Sequence, residues 1–247
     1  MHLTVIGCGD AFGTGGRLQS AYLINVANRN VLLDCGATTQ IGLNKLGLDA
    51  NAIDTILISH LHGDHFAGLV WIVLSAQHAT KRTAPLRVIA PATIRARYEA
   101  AAEILFPGMT KVKRAFELDF VEIGASKPYV DREFRVDAFE VSHPSDAPSH
   151  ALRVSSGGRT LAFSGDTEWV ENLLTCAAEA DLFITECCAV DRPIKFHMSW
   201  RTLEMNLPRL TAKRVMLTHM NRDMLDFAPT VRSERILLAE DGLKISL

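Results

Sequence analysis

The sequence predicts one layered domain of class α/β or α+β. Its 247 residues, 48% of them hydrophobic, are enough to bury a sizeable core. β-rich runs alternate with helical patterns along the chain, and no stretch rich in Pro, Gly and Ser divides it. No internal repeat or low-complexity tract suggests a solenoid or a disordered chain. We therefore expect a single domain over residues 1–247.

The elements follow from local patterns taken in order. Apolar runs separated by turn signals predict an N-terminal strand meander, with strands at 3–6, 21–26 and 31–34, a Gly-rich loop at 7–16 and a turn at 28–30. Helical periodicity follows, interleaved with β-branched and apolar strands. The helices are expected at about 38–46, 66–76, 92–104, 168–178 and 200–210.

Five apolar runs each end just before a polar residue of chemical interest. In layered folds, binding groups gather beyond the carboxyl ends of strands, where the backbone is rigid and the side chain can leave the sheet. We therefore expect these residues to converge on one edge. The runs are 55–59 before His60, 136–142 before His143, 161–165 before Asp166, 182–185 before Glu186 and 215–218 before His219.

Composition limits the compartment and the partners. The formal net charge of −2 gives no overall attraction to nucleic acid or anionic membranes, although a local basic patch would not appear in that sum. No apolar run approaches the length of a membrane span, and the first strand-like run is too short for a secretory signal, so we expect a cytoplasmic protein. The cysteines form no C-x-x-C pair and are expected to be reduced and structural: Cys8, Cys35, Cys176, Cys187 and Cys188.

Residues 60–65 read His-Leu-His-Gly-Asp-His, which packs four potential metal ligands into six positions. Near a strand end, His60 and His62 point to the same side and can bind one ion. Asp64 and His65 then turn onto the following helix and can bind a second. The alternative is a polar helix N-terminus that Asp64 caps.

Each ion needs further ligands, and three strand-end residues can supply them. His143 suits the first ion and His219 the second, while the two oxygens of Asp166 could bridge both. Taken singly, each would by default be a satisfied core or capping residue. Imidazoles with few carboxylates favour zinc, with manganese or iron as realistic substitutes.

Motifs spread over nearly the whole chain resemble the metallo-β-lactamase superfamily. The resemblance is greatest to the branch that contains tRNase Z and small cyclic-phosphate phosphodiesterases. It implies an αββα sandwich of two mixed sheets between outer helices, with a dimetal site at one edge of the sheets, and often a homodimer. The motifs are 7–15 (Gly-Cys-Gly-Asp-Ala-Phe-Gly-Thr-Gly), 60–65, 142–143 (Ser-His), 164–167 (Ser-Gly-Asp-Thr), Glu186, 197–199 (His-Met-Ser) and 218–219 (Thr-His).

The resemblance also implies residue roles. A metal-bridging hydroxide is the nucleophile, with Asp64 as its proton acceptor. His197 lies near the leaving group and is oriented by Glu186, although an ordinary exposed loop histidine is the alternative. The ligand sets are His60, His62 and His143 on one ion and Asp64, His65 and His219 on the other, with Asp166 bridging.

Other residues carry weaker expectations. Asp34 is either a support for a metal ligand or an ordinary turn carboxylate. His150 is favoured as a plain strand residue, and the Gly-rich loop as part of the metal-site rim. His2 and His78 are expected at the surface. A substrate anion could meet Arg192, Lys195, Arg201 or Arg222, although solvated surface charge is the default for each.

The substrate is constrained by what the chain lacks. Only 22 residues separate His143 from Asp166, where bacterial tRNA-processing members carry a long arm that grips tRNA. Full tRNA is therefore disfavoured, and a small or cyclic phosphodiester is expected. A carboxylic ester, lactone or thioester hydrolase with the same dimetal site is the alternative. An iron-dependent redox enzyme and a binding protein without turnover are less favoured.

Overall fold

The computed structural model describes residues 1–247 as four layers, with two β-sheets packed face to face between two layers of helices. This is the αββα sandwich implied by the resemblance, so the predicted fold is confirmed. The strands are β1 (His2–Gly7), β2 (Ala21–Val26), β3 (Arg29–Leu33), β4 (Thr55–Leu57), β5 (Leu86–Ala90), β6 (Leu118–Glu122), β7 (Tyr129–Val130), β8 (Arg135–Glu140), β9 (His150–Ser156), β10 (Arg159–Phe163), β11 (Leu182–Glu186), β12 (Val215–Thr218), β13 (Ile236–Leu238) and β14 (Lys244–Ser246). The helices are α1 (Thr39–Lys45), α2 (Gly63–Phe66), α3 (Gly68–His78), α4 (Ile94–Leu105), α5 (Asn172–Ala177), α6 (Trp200–Asn206) and α7 (Arg222–Phe227).

Each sheet has seven strands and combines an antiparallel half with a parallel half. The first has the order β14-β1-β2-β3-β4-β5-β6 and the second β13-β12-β11-β10-β9-β8-β7. Neighbouring strands are parallel from β3 to β6 and from β10 to β13, and antiparallel elsewhere. Parallel neighbours place their carboxyl ends at a common edge, which lets residues from distant parts of the chain meet.

The core between the sheets is apolar and contains one hydrogen-bonded aromatic side chain. Both sheets contribute to it, for example Val5 from β1 and Val154 from β9. The buried Tyr22 ring lies 5.5 Å from the Phe163 ring of the opposite sheet, and its hydroxyl is 2.5 Å from Thr218 Oγ1. Because buried tyrosines need a partner for their hydroxyl, this bond fixes the end of β12 against β2.

The outer faces of the sheets are covered by helices with apolar inner stripes. Along α3, Leu69, Val70, Ile72 and Val73 are buried against the first sheet, as expected for i, i+3, i+4 spacing. Helices α5, α6 and α7 pack on the second sheet in the same way. None of the helices is both long enough and apolar enough to cross a membrane.

Several predicted boundaries differ from the structure. The strand expected at 55–59 ends at Leu57, because the backbone N–H of Ser59 donates to the Asp34 carboxylate instead of to a neighbouring strand. The helix expected at 168–178 begins only at Asn172, and Glu168 accepts a hydrogen bond from Ser142 at 2.5 Å in the connection before it. Short strands such as β7 and β14, and helix α7, were not predicted.

Candidate metal centre

The five predicted strand-end residues gather at one edge of the sandwich. His60 follows β4, His143 follows β8, Asp166 follows β10 and His219 follows β12, while Glu186 is the last residue of β11. All five are at least nine-tenths buried. The structure thus brings together side chains that are up to 159 positions apart in the sequence.

The first donor group consists of His60, His62 and His143. Their ring nitrogens lie within 4.8 Å of one another. His143 Nε2 is 2.9 Å from His62 Nδ1, and His143 Nδ1 donates to the carbonyl of Phe196 at 3.0 Å. That outer bond fixes the His143 tautomer and leaves the lone pair of Nε2 directed at the group.

The second donor group consists of Asp64, His65, Asp166 and His219, again within 4.8 Å of one another. His65 Nε2 and His219 Nε2 each lie 3.3 Å from Asp64 Oδ2 and 3.3 Å from an oxygen of Asp166. Asp64 does not cap helix α2, whose N-cap is His62; it lies in the first turn with its carboxylate directed at the two imidazoles. Burial alone would raise the pKa of Asp64, but these histidines hold it well below its usual range.

The donor atoms fit two divalent metal ions. His60 Nε2 is buried and has no hydrogen-bond partner, an arrangement that is costly unless another group satisfies the nitrogen. Three imidazoles in one group, and two imidazoles with two carboxylates in the other, are ligand sets that suit zinc and similar ions. Asp166 also lies within 4.8 Å of His143 and His197, so its carboxylate stands between the two groups.

Asp34 supports the second group from outside. It is fully buried, and its carboxylate accepts hydrogen bonds from His65 Nδ1 at 2.7 Å and from the backbone and hydroxyl of Ser59 at 2.7 and 2.8 Å. Of the two readings from sequence, the structure favours support of a ligand over an ordinary turn. A carboxylate on the outer nitrogen orients a histidine and makes it a stronger metal ligand.

Beside these groups, Glu186 and His197 form a hydrogen-bonded pair. His197 Nδ1 lies 3.0 Å from Glu186 Oε2, and the other Glu186 oxygen accepts from the backbone of Thr167. Burial alone would lower the pKa of His197, but the bond to Glu186 and the charges of Glu186 and Asp166 raise it. Because His197 Nδ1 is 4.0 Å from Asp166 Oδ2, a protonated imidazole would stand at the edge of the donor groups.

A cavity of about 470 Å³ opens over the donor groups. The Gly-rich loop forms part of its rim through Asp10, Phe12 and Thr14, as the sequence suggested. Of the four cations singled out, Arg192 and Arg222 line this cavity. Lys195 lies over the Phe196 ring, and Arg201 pairs with Asp191 and Glu204 at the surface.

The remaining histidines and the cysteines take varied positions. His2 and His78 are exposed, and His150 is buried in β9, where its backbone N–H donates to Ser59. All five cysteines are free and buried. Sequence reasoning assigned Cys188 no role near the site, yet its sulfur lies within 4.8 Å of ligand atoms of Glu186, His197 and His219. Cys188 is the second residue after the end of β11, and this position was the only signal of its role in the sequence.

Three residues of the site have left-handed backbone conformations. The φ angles of Asp34, Phe196 and His219 are 56°, 68° and 56°. Such angles are uncommon outside glycine and cost about 1–2 kcal/mol each. Their role here is visible in the contacts: Asp34 reaches His65, the Phe196 carbonyl accepts from His143, and His219 turns back from β12 toward Asp64.

The chain is similar to known proteins over nearly its whole length. A family model described as "Anti-Pycsar protein Apyc1" matches residues 1–243. Ribonuclease Z of Borrelia recurrentis is 31% identical over an alignment that covers 99% of this chain and 96% of that protein. The alignment runs over 311 positions, more than this chain has residues, so that relative carries insertions.

Other matches are partial in sequence or are structural. Ribonuclease Z of Lachnoclostridium phytofermentans is 31% identical over 147 residues, and the chain spans only about half of that relative, 46% of its length. The crystal structure of the short form of human tRNase Z superposes with a TM-score of 0.80, at 25% identity, over 100% of this chain and 99% of that one.

Proposed function

This chain belongs to the family of the anti-Pycsar protein Apyc1, within the metallo-β-lactamase superfamily, and we propose that it hydrolyses a small or cyclic phosphodiester with the help of two divalent metal ions. It is a metal-dependent hydrolase of the phosphodiesterase type. The observation that carries the proposal is the meeting of two complete donor groups at Asp166, with the Glu186–His197 pair beside them. Relatives named ribonuclease Z, which cleave phosphodiesters in RNA, support the same bond type.

Each donor group would hold one ion. The first ion would be bound by His60, His62 and His143, and the second by Asp64, His65 and His219. Asp166 would be shared between the two ions. Two divalent ions held there would lower the pKa of water and neutralise charge that develops on phosphoryl oxygens. We infer that zinc is the native metal, because imidazole nitrogens outnumber carboxylates among the ligands.

The chain's own residues then handle protons. Asp64 stays ionised, because His65 and His219 hold its pKa well below the usual range, so its carboxylate can orient the attacking water by accepting a hydrogen bond. Its role as the proton acceptor follows from the resemblance to the superfamily. His197, whose pKa is raised by Glu186, can carry a proton at Nε2 and give it to the departing alkoxide. Glu186 positions His197 and does not itself reach the substrate.

The cavity suits a small substrate. In place of a long arm, the residues after His143 form a short loop and the β9–β10 hairpin, so the chain has no extension to grip a large RNA. We therefore infer that full tRNA is not the substrate.

We also infer the compartment, the domain organisation and the oligomeric state of the enzyme. Five free thiols suit a reducing compartment, so we propose the cytoplasm. The core shared by both sheets supports a single domain over residues 1–247. Resemblance to the superfamily supports a homodimer.

The proposal is tested with zinc-loaded protein on bis(p-nitrophenyl) phosphate and p-nitrophenyl acetate. We expect turnover of the phosphodiester and a loss of at least about 100-fold in kcat for Asp166→Ala, because that carboxylate holds both donor groups together. The exposed His78→Ala variant is the matched control and should retain turnover. Turnover of the acetate alone, abolished by Asp64→Ala, would instead establish the ester hydrolase.

A further inference from the structure

Phe12 is the most exposed large apolar side chain of the protein, with 92% of its surface accessible. A single exposed apolar residue says little, because such residues are common on soluble proteins. Phe12 differs in two respects, since its backbone is held in place and it is one of the residues that line the cavity over the donor groups.

The loop that carries Phe12 is fastened by Asp10, which is itself 3% exposed. The Asp10 carboxylate accepts hydrogen bonds from the backbone of Phe12 at 3.2 Å and of Thr14 at 2.9 Å, and from the Thr14 hydroxyl at 2.6 Å. A bond from Gly13 N–H to the Asp10 carbonyl closes the turn. Because these bonds hold the backbone in place, a ligand that binds at Phe12 does not have to order the loop, and that part of the conformational-entropy cost is avoided.

The cavity is lined by Phe12 and also by polar and charged residues. Phe12 shares it with His197 and with the donor-group residues His62, Asp64 and His143. A ligand whose phosphate lies over the donor groups can therefore extend a flat apolar part toward Phe12. Aromatic rings stack well on nucleobases, because every base has a π face.

We propose that Phe12 determines specificity by stacking against the nucleobase of a nucleoside cyclic phosphate. This inference rests on the proposed function for the reaction, but not for the binding of the base. It assigns recognition of the base to the Gly-rich loop and recognition of the phosphate to the metal centre.

The test compares ligands with and without a base. Binding of adenosine 5′-monophosphate and of ribose 5-phosphate to the zinc-loaded protein is measured by calorimetry for the wild type, Phe12→Ala and Phe12→Trp. We expect Phe12→Ala to weaken binding of the nucleotide about tenfold, and the sugar phosphate far less, with recovery in Phe12→Trp. Met205→Ala, at a 72% exposed residue on α6, is the matched control and should bind both ligands as the wild type does.

Kinetics separate this inference from the proposed function. For adenosine 3′,5′-cyclic phosphate, Phe12→Ala should raise KM about tenfold with a smaller effect on kcat. An equal change for both binding ligands, or none for the nucleotide, would overturn the role of Phe12. If no phosphodiester is turned over while the base-dependent difference in binding persists, the proposed reaction fails and the inference stands.

Discussion

At the residue scale, the two histidines of the second donor group are supported differently. The outer nitrogen of His65 bonds to the Asp34 carboxylate, whereas His219 Nδ1 is buried without a hydrogen-bond partner. On the side of the ring that faces away from the donor group, His65 is thus oriented by one carboxylate, whereas His219 is oriented only by its backbone and by packing. The sequence left the role of Asp34 open, because its distance from the 60–65 motif is bridged only when β3 and β4 pair.

Asp34→Asn should therefore weaken metal binding. The amide keeps the shape of the side chain but removes the negative charge facing His65, so we expect metal affinity to fall about 10–100-fold. The metal affinity of each variant is measured by competition with a chromophoric chelator. Asp119→Asn, which removes the charge of a half-buried carboxylate that pairs with Arg87 away from the site, is the control. Equal affinities for the two variants would contradict support of the metal through Asp34.

His197→Asn should lower kcat by different factors for substrates with different leaving groups. Asparagine cannot donate a proton to an alkoxide, so kcat for a diester with an alkyl leaving group should fall about 10²–10⁴-fold. A p-nitrophenolate departs without a proton, and its release should be much less impaired. His78→Asn, at the exposed end of α3, controls for loss of a histidine. An equal loss for both leaving groups would show that His197 positions the substrate instead.

At the element scale, two glycines allow the segment that contains the 60–65 motif to lie close to the loop after β3. A Cβ at Gly68 would lie 2.1 Å from the Gly36 carbonyl oxygen, and one at Gly36 would lie 2.3 Å from that of Asp64. The approach of α2 and α3 to this loop therefore depends on the missing side chains. Hydrophobic periodicity predicted helix α3, but no local sequence pattern indicated that its backbone would contact the loop after β3.

Gly68→Ala should consequently destabilise the fold. Relief of the clash requires α3 to move from the first sheet, at a cost of about 1–3 kcal/mol or more in the free energy of unfolding. Gly63→Ala is the matched control, because a Cβ there meets only Ala67 at 3.8 Å. Denaturant unfolding of the metal-free proteins compares them. If the two variants had similar unfolding midpoints and slopes, the close approach of α3 to the loop after β3 would not require a glycine at position 68.

At the scale of the whole molecule, the site is assembled from both sheets. The first sheet supplies the 60–65 motif, and the second supplies His143, Asp166, Glu186 and His219. The sequence predicted this convergence because each residue follows a strand, and the contiguous motif was visible without any fold. Strands of two or three residues, such as β7 and β14, are too short to show periodicity, and their place depends on partners distant in sequence.

Metal removal should therefore loosen the contact between the sheets. Ions bound by residues of both sheets stabilise only the folded state, by about 2.7 kcal/mol at a concentration 100 times Kd. For a chain of this size we expect zinc to raise the melting temperature of chelator-treated protein by roughly 5–10 °C. Calorimetry measures the shift, and Asp166→Ala should show a smaller one. An identical melting temperature with and without zinc would be inconsistent with a site shared between the sheets.

The left-handed residues around the metal centre have a consequence for adaptation. Asp34, Phe196 and His219 hold their contacts in backbone conformations that an unconstrained chain would leave. Selection for heat resistance would favour substitutions that relax these turns, while selection for turnover would keep them. Thermostable variants of this enzyme should accordingly gain their stability in the helices and sheets and retain these three turns wherever activity is also demanded.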